Sequence, residues 1–146
     1  MTKSQLDREI EMRLFEHEAR YTSGRRAVVE VLAKASGPMS AAELSEELSP
    51  DVPLSSIYRT LTVLEEAGVI AHHLGAKGLT RFELAEWLTG HHHHLVCLDC
   101  GSVADIDIPQ AKENSVRSLV AEIAAIASFD ATDHALEIEG RCARCA

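Results

Sequence analysis

Four cysteines constrain this chain more than any other residues. They stand as Cys97-Leu98-Asp99-Cys100 and Cys142-Ala143-Arg144-Cys145, two C-x-x-C pairs separated by residues 101–141. Each pair can grip a metal ion from a single backbone knuckle, and four thiolates satisfy tetrahedral zinc. A pair of redox dithiols is the competing reading. Zinc is preferred because the intervening stretch can return the second pair to the first. A closed four-sulfur site leaves no position for substrate, so its contribution is to folding rather than to catalysis.

Immediately before the first pair runs His91-His92-His93-His94. Its place inside the chain argues against an affinity tag. On an extended strand alternate side chains point to opposite faces, so His91 and His93 share one face while His92 and His94 share the other. One tetrad can therefore serve two metal sites. Imidazole with carboxylate suits first-row divalent ions, and Glu83, Asp105, Glu113 and His134 are the candidate partners. A solvated polar strand is the alternative. His17 reads as a surface residue, and His72 and His73 as either solvated residues or spare ligands.

The N-terminal half carries helical periodicity. Leu6, Ile10 and Leu14 recur every four residues, Thr22 can cap a second helix bearing Val28, Val31 and Leu32, and Ser40 with Glu43 makes a capping box ahead of Leu44 and Leu48. A fourth helix is expected from near Ser55 to just before Gly68. Ile57, Leu61 and Leu64 form its apolar face, which leaves Ser55, Tyr58, Arg59 and Thr62 on another. Two short apolar runs then bracket Gly75-Ala76-Lys77-Gly78, the pattern of a β-hairpin. Short helix, short helix, hairpin is the winged helix-turn-helix order, in which the second helix enters the major groove. Arg25, Arg26, Lys77 and Arg81 are the flanking cations expected at phosphates, with Tyr58 and Arg59 facing base edges.

Ala85 to Gly90 reads as a hinge. Beyond it, strands are expected over 91–97, 103–108 and 134–138. A helix bearing Val116, Leu119, Val120 and Ile123 lies between the last two. Such a module is too small to bury much alone. The formal charge of −9 over 146 residues excludes a general basic coat for nucleic acid, so DNA contact has to come from a local patch. No apolar run reaches the ~18 residues of a membrane span, and Met1-Thr2-Lys3-Ser4-Gln5 leads into charged residues rather than a signal core. A cytoplasmic protein without membrane contact is expected.

These stretches resemble the ferric uptake regulator family of metal-dependent repressors. The likeness rests on Leu54-Ser55-Ser56-Ile57-Tyr58-Arg59-Thr60-Leu61, Glu66-Ala67-Gly68-Val69-Ile70, Arg81-Phe82-Glu83-Leu84 and, above all, His91 through Gly101. The resemblance implies an α+β fold: a winged-helix DNA-binding domain over 1–85, a hinge at 86–90, and a small α/β dimerisation and metal-binding domain over 91–146. It also implies a homodimer bound to a palindromic operator in double-stranded DNA, with metal at the hinge setting the spacing of the two winged helices.

By the same resemblance, Cys97, Cys100, Cys142 and Cys145 are expected to hold structural Zn(2+). Glu83, His92, His94 and Asp105 are expected to hold the regulatory metal, and His91, His93 and His134 a further site in the dimerisation domain. The fourth ligand of that further site falls at or near Arg117, which leaves it incomplete or reliant on Glu113. Pro38 stands where many relatives supply another His to the hinge site. Fe(2+) is the first expectation for the regulatory metal, with zinc, manganese, nickel or peroxide sensing as rivals. Asp105 leans toward the peroxide sensors and the missing His leans away. An enzyme is the rival class, a small zinc hydrolase using the tetrad, but no H-E-x-x-H signature occurs. A metal buffer that ignores DNA is the third.

Overall fold

Caps and apolar stripes set the N-terminal half. In the computed structural model, which describes residues 1–146 with Ala76 by its backbone alone, α1 (Lys3–Glu16) starts from a reciprocal capping box between Thr2 and Gln5. The second helix, α2 (Ser23–Lys34), is capped by the Thr22 hydroxyl, which accepts from Arg25 N–H. Ser40 and Glu43 close a second reciprocal box at the head of α3 (Ala41–Glu47). Pro53, with its preset φ and no amide hydrogen to satisfy, leads into α4 (Leu54–Glu66). Ile10, Leu14, Leu44, Ile57, Leu61 and Leu64 are completely or almost completely buried between these helices. Truncating any one of the leucines to Ala should cost about 2–5 kcal/mol.

The expected hairpin is present. β1 (Ile70–Leu74) pairs antiparallel with β2 (Thr80–Leu84), Ile70 opposite Leu84, around a tight turn in which Lys77 and Gly78 take positive φ. Met39 adds a bridge to Phe82, with both N–H···O=C bonds at 2.8 Å. The second strand is covered on both faces. Phe82 and Leu84 enter the helical core, while Arg81 and Glu83 on the other face are also buried.

The segment expected as a hinge carries a helical turn, α5 (Glu86–Thr89), which packs Leu88 into the core. Gly90, at φ 89°, ends this turn and leads the chain toward β3 (His93–Cys97). That strand is central, antiparallel to β4 (Val103–Ile106) and parallel to β5 (Glu137–Gly140), with α6 (Gln110–Ile126) as the crossover. All three strands are displaced or shortened relative to expectation, the middle one ending at Ile106 rather than at 108. The first begins at His93, where pairing with Ile106 starts, and His91 and His92 lie outside the ladder. The last runs 137–140 rather than 134–138, a register that sets Gly140 beside Cys97.

The expected stripe of the long helix is not covered. Leu119 and Ile123 are more than half exposed, and of the described residues of α6 only Glu113 is buried. Among the described residues, the face of α6 that carries Leu119 and Ile123 stays largely open to solvent. No helix among the described residues is long and apolar enough to cross a membrane.

Candidate metal centres and nucleic-acid face

Pairing of β3 with β5 delivers the second cysteine pair to the first. Leu98 N–H donates to Gly140 O at 2.8 Å, and the chain then turns so that one sulfur from each of Cys97, Cys100, Cys142 and Cys145 lies within 4.8 Å of the others. No disulfide joins them. Backbone N–H groups of Cys100 and Cys142 hold the Cys97 thiol down to about 6, which favours the thiolate a metal needs. Four sulfurs converging from two knuckles suit a tetrahedral ion.

The tetrad divides as the two-residue period requires. His92 and His94 meet Glu83 and Asp105. His92 Nε2 and His94 Nε2 stand 3.0 and 3.2 Å from Glu83 Oε2, and 3.6 and 3.4 Å from Asp105 Oδ1. All four ligand atoms fall within 4.8 Å of one another. Glu83 reaches the group because it lies on the covered outer face of β2. Asp105 faces His94 across the β3–β4 ladder. His73 adds a fifth contact, its Nε2 2.6 Å from Glu83 Oε1, whereas His72 turns outward to Glu65.

Burial would raise the Glu83 carboxyl, but hydrogen bonds from His73, His94 and His92 outweigh it and hold it well below the usual carboxylate range. Glu83 in turn lifts His94 above its ordinary value against burial. His92 is also lifted: burial opposes, and the Gly90 carbonyl and Glu83 prevail. Burial and the neighbouring Glu83 charge raise Asp105.

On the opposite face His91 and His93 meet Glu113 and His134. His93 Nε2 is 2.7 Å from Glu113 Oε2. Glu113 Oε1 is 2.9 Å from His134 Nε2 and 3.2 Å from His91 Nε2, yet it is buried without a well-formed hydrogen bond, and so is His93 Nδ1. A buried carboxylate oxygen ringed by imidazole nitrogens and bonded to none is the arrangement a cation would satisfy. Arg117 stands outside the group, largely exposed and 3.8 Å from Glu113. Sequence reasoning missed two acids beside His91, Glu86 and Asp133. Glu86, from α5, approaches His91 Nδ1 at 3.1 Å, and no motif or spacing marked it.

The candidate DNA face is presented by α4. Ser55, Tyr58, Arg59 and Thr62 are exposed opposite buried Ile57, Leu61 and Leu64. Arg59 engages no acid among the described residues. The flanking cations need correction. Arg81 is buried, its guanidinium bonded to Glu43 at 2.8 and 2.9 Å and to Pro38 O at 3.3 Å, so it cannot meet a phosphate. Arg26 is held by Asp7 at 2.9 Å and lies over the Tyr21 ring. Arg25, at the head of α2, donates to Arg20 O and keeps part of its surface free, and Lys77 Nζ donates to Asp99 O at 2.8 Å.

With these clusters in place, comparison with known proteins is decisive. Residues 16–139 match the family model of the ferric uptake regulator family. The chain belongs to the ferric uptake regulator family. It is 32% identical over 98% of its length to the ferric uptake regulation protein of Bacillus subtilis, covering 95% of that protein. To the peroxide-responsive repressor PerR of Staphylococcus aureus it is 30% identical, over 86% of this chain and 82% of that one. The crystal structure of the ferric uptake regulator of Vibrio cholerae superposes with a TM-score of 0.70 at 32% identity, covering 88% of this chain and 96% of the other. Members of the ferric uptake regulator family are transcriptional regulators rather than enzymes, which removes the hydrolase reading.

Proposed function

We propose that this chain is a homodimeric repressor whose grip on a palindromic operator is switched by a divalent metal at Glu83, His92, His94 and Asp105. One observation carries the reading: Glu83 comes from the hairpin of the N-terminal half, while the other three come from β3, its approach and β4. A single ion held by all four ties the two halves together. Residues 1–85 then form the DNA-binding domain, 86–90 the hinge, and 91–146 the dimerisation and metal-binding domain.

Each residue has a stated task. His92 and His94 offer neutral nitrogens, Glu83 and Asp105 supply the charge that offsets the cation, and His73 holds the second Glu83 oxygen. The metal, when bound, supplies the charge that lets two carboxylates share one site. The four cysteines hold zinc and fasten the C-terminal knuckle to β3. His91, His93, Glu113 and His134 form a second divalent site. Ser55, Tyr58, Arg59 and Thr62 read the groove, with Arg25 and Lys77 at phosphates. The uncovered stripe of α6, with Leu95 and Ile138 of the sheet, supports a second copy as its cover.

Iron is the favoured regulatory metal, given the similarity to ferric regulators over almost the whole chain. Peroxide sensing is the second reading, favoured by Asp105 in the cluster and by the likeness to PerR. The switch is tested by gel shift with operator DNA across Fe(2+), Mn(2+), Zn(2+) and Ni(2+) titrations. His92→Ala with His94→Ala should abolish metal-dependent binding while zinc and the dimer survive. Metal-independent operator binding by the unaltered protein, or a double variant that still responds, overturns the hinge cluster as the sensor. Loss of operator binding on adding peroxide to the iron-loaded protein would favour the second reading over the first.

A further inference from the structure

The His91 ring is held at both nitrogens. Its Nε2 faces Glu113 and His134, each at 3.2 Å, while its Nδ1 lies 3.1 Å from Glu86 Oε1. A ring that binds a cation through Nε2 carries its proton on Nδ1, and a carboxylate there fixes the tautomer and strengthens the ligand. Glu86 is the first residue of α5. The next two residues are anchored in the N-terminal half. The Trp87 indole donates to Gly68 O at 2.8 Å and its ring lies 4.3 Å beneath the Arg13 guanidinium, and Leu88 is buried in the helical core. One helical turn thus touches the winged-helix unit on one side and the second candidate metal cluster on the other.

We propose that Glu86 is a positioning residue for His91 and that, through α5, it couples occupancy of the His91, His93, Glu113 and His134 site to the N-terminal half. This rests on the reading of that cluster as a divalent site. Its other acidic neighbour does not do the same work: Asp133 Oδ1 already accepts from His134 N–H at 2.8 Å. The side chain of Glu86 is 46% exposed, so the expected effect lies at the lower end of the 10–100-fold span typical of such outer partners.

Trp87 is the one tryptophan in the chain and sits next to Glu86, which provides a reporter. The test uses the full-length, zinc-cysteine-loaded protein with His92→Ala and His94→Ala, so that the hinge site is silent. Co(2+) absorption reads binding at the His91 cluster, and Zn(2+), which has no d–d bands and does not quench, is titrated against Trp87 emission. Glu86→Gln should weaken Co(2+) binding about tenfold. It should also remove the emission change at saturating Zn(2+) and leave the melting temperature of the cluster-free protein unchanged. Glu86→Asp should recover part of both, and Asp133→Asn should alter neither. Equal Co(2+) affinity with Gln and Glu at position 86, or an intact Trp87 response in Glu86→Gln, overturns the coupling. Failure of the Glu86-containing protein to bind Co(2+) at all overturns the cluster reading itself, and the coupling with it.

Discussion

The backbone N–H of Asp105 donates to the carbonyl of Ser36 at 2.9 Å, so an acid of the hinge cluster is also where the loop after α2 docks on β4. The neighbouring residue makes this possible. A Cβ on Gly37 would sit 2.2 Å from Val103 O, a backbone atom that cannot swing aside. Gly37→Ala should break the Ser36–Asp105 bond and separate Glu83 from His92, His94 and Asp105. Circular dichroism should show the protein still folded, while small-angle scattering shows a larger radius of gyration and hinge-metal affinity falls at least about tenfold, by loss of one ligand from the shared set. An unchanged radius with unchanged affinity would remove the loop from the account of closure.

The cysteine site is tested by zinc retention. The purified protein should hold about one tightly bound zinc per chain through the four sulfurs. Cys97→Ser should lose that zinc and lower the melting temperature, because β5 and the knuckle that follows it have little apolar burial to keep them on β3. A Cys97→Ser protein that keeps its zinc and melts normally contradicts the assignment.

Arg59→Ala removes an exposed cation from α4 without touching Ile57, Leu61 or Leu64. It should cost roughly 1–3 kcal/mol of operator affinity and leave thermal unfolding unchanged. Arg81→Ala should do the reverse, destabilising the protein by removing a buried side chain bonded to Glu43 and to Pro38 O while binding DNA normally once folded. Exchange of those two outcomes would place the reading face on the hairpin rather than on α4.

The hinge cluster also predicts a pH profile for protein stripped of regulatory metal. His92 and His94 are raised above 6.5, so their stabilisation is complete below that value and is lost as pH climbs through their raised values. Glu83 is lowered from 4.5, so its contribution is complete above that value and is lost only in strong acid. The melting temperature should therefore fall on the alkaline side, and His92→Ala with His94→Ala should flatten that slope. Metal affinity should run the other way, rising with pH as the two imidazoles shed the protons a cation must displace. A melting temperature that rises from pH 6.5 to 8.5 in the stripped protein would reverse the sign assigned to the pair.

Much of the site was legible because it obeys a local period. The split of the tetrad follows from the alternation of side chains on an extended strand, and the boxes at Ser40 and Glu43 follow from helix-end chemistry. Glu83 and Asp105 could be named because the family resemblance places ligands there, and Glu113 because it is an acid one helical turn before Arg117, where that resemblance puts the fourth ligand. Arg81 was misread because a cation in a hairpin is usually solvated, and the sequence does not announce that both faces of β2 are covered. Glu86 left no signal at all: its meeting with His91 depends on the backbone path through α5 and Gly90, at positive φ, a matter of geometry rather than composition. The exposed stripe of α6 was legible as apolar, but the sequence of one chain does not say what covers it.

The stretch from His91 through the central strand to Cys97 serves three clusters from seven consecutive residues. A slip of one position along it would exchange every ligand between the two faces, handing the hinge histidines to Glu113 and the inner pair to Glu83. Insertions and deletions in this stretch are therefore closed to gradual change, whereas each acid partner sits on a different element and can be replaced singly. Diversity of sensed signal among such proteins is then expected to accumulate in the partners that approach the strand, with the strand itself kept as a common keyboard.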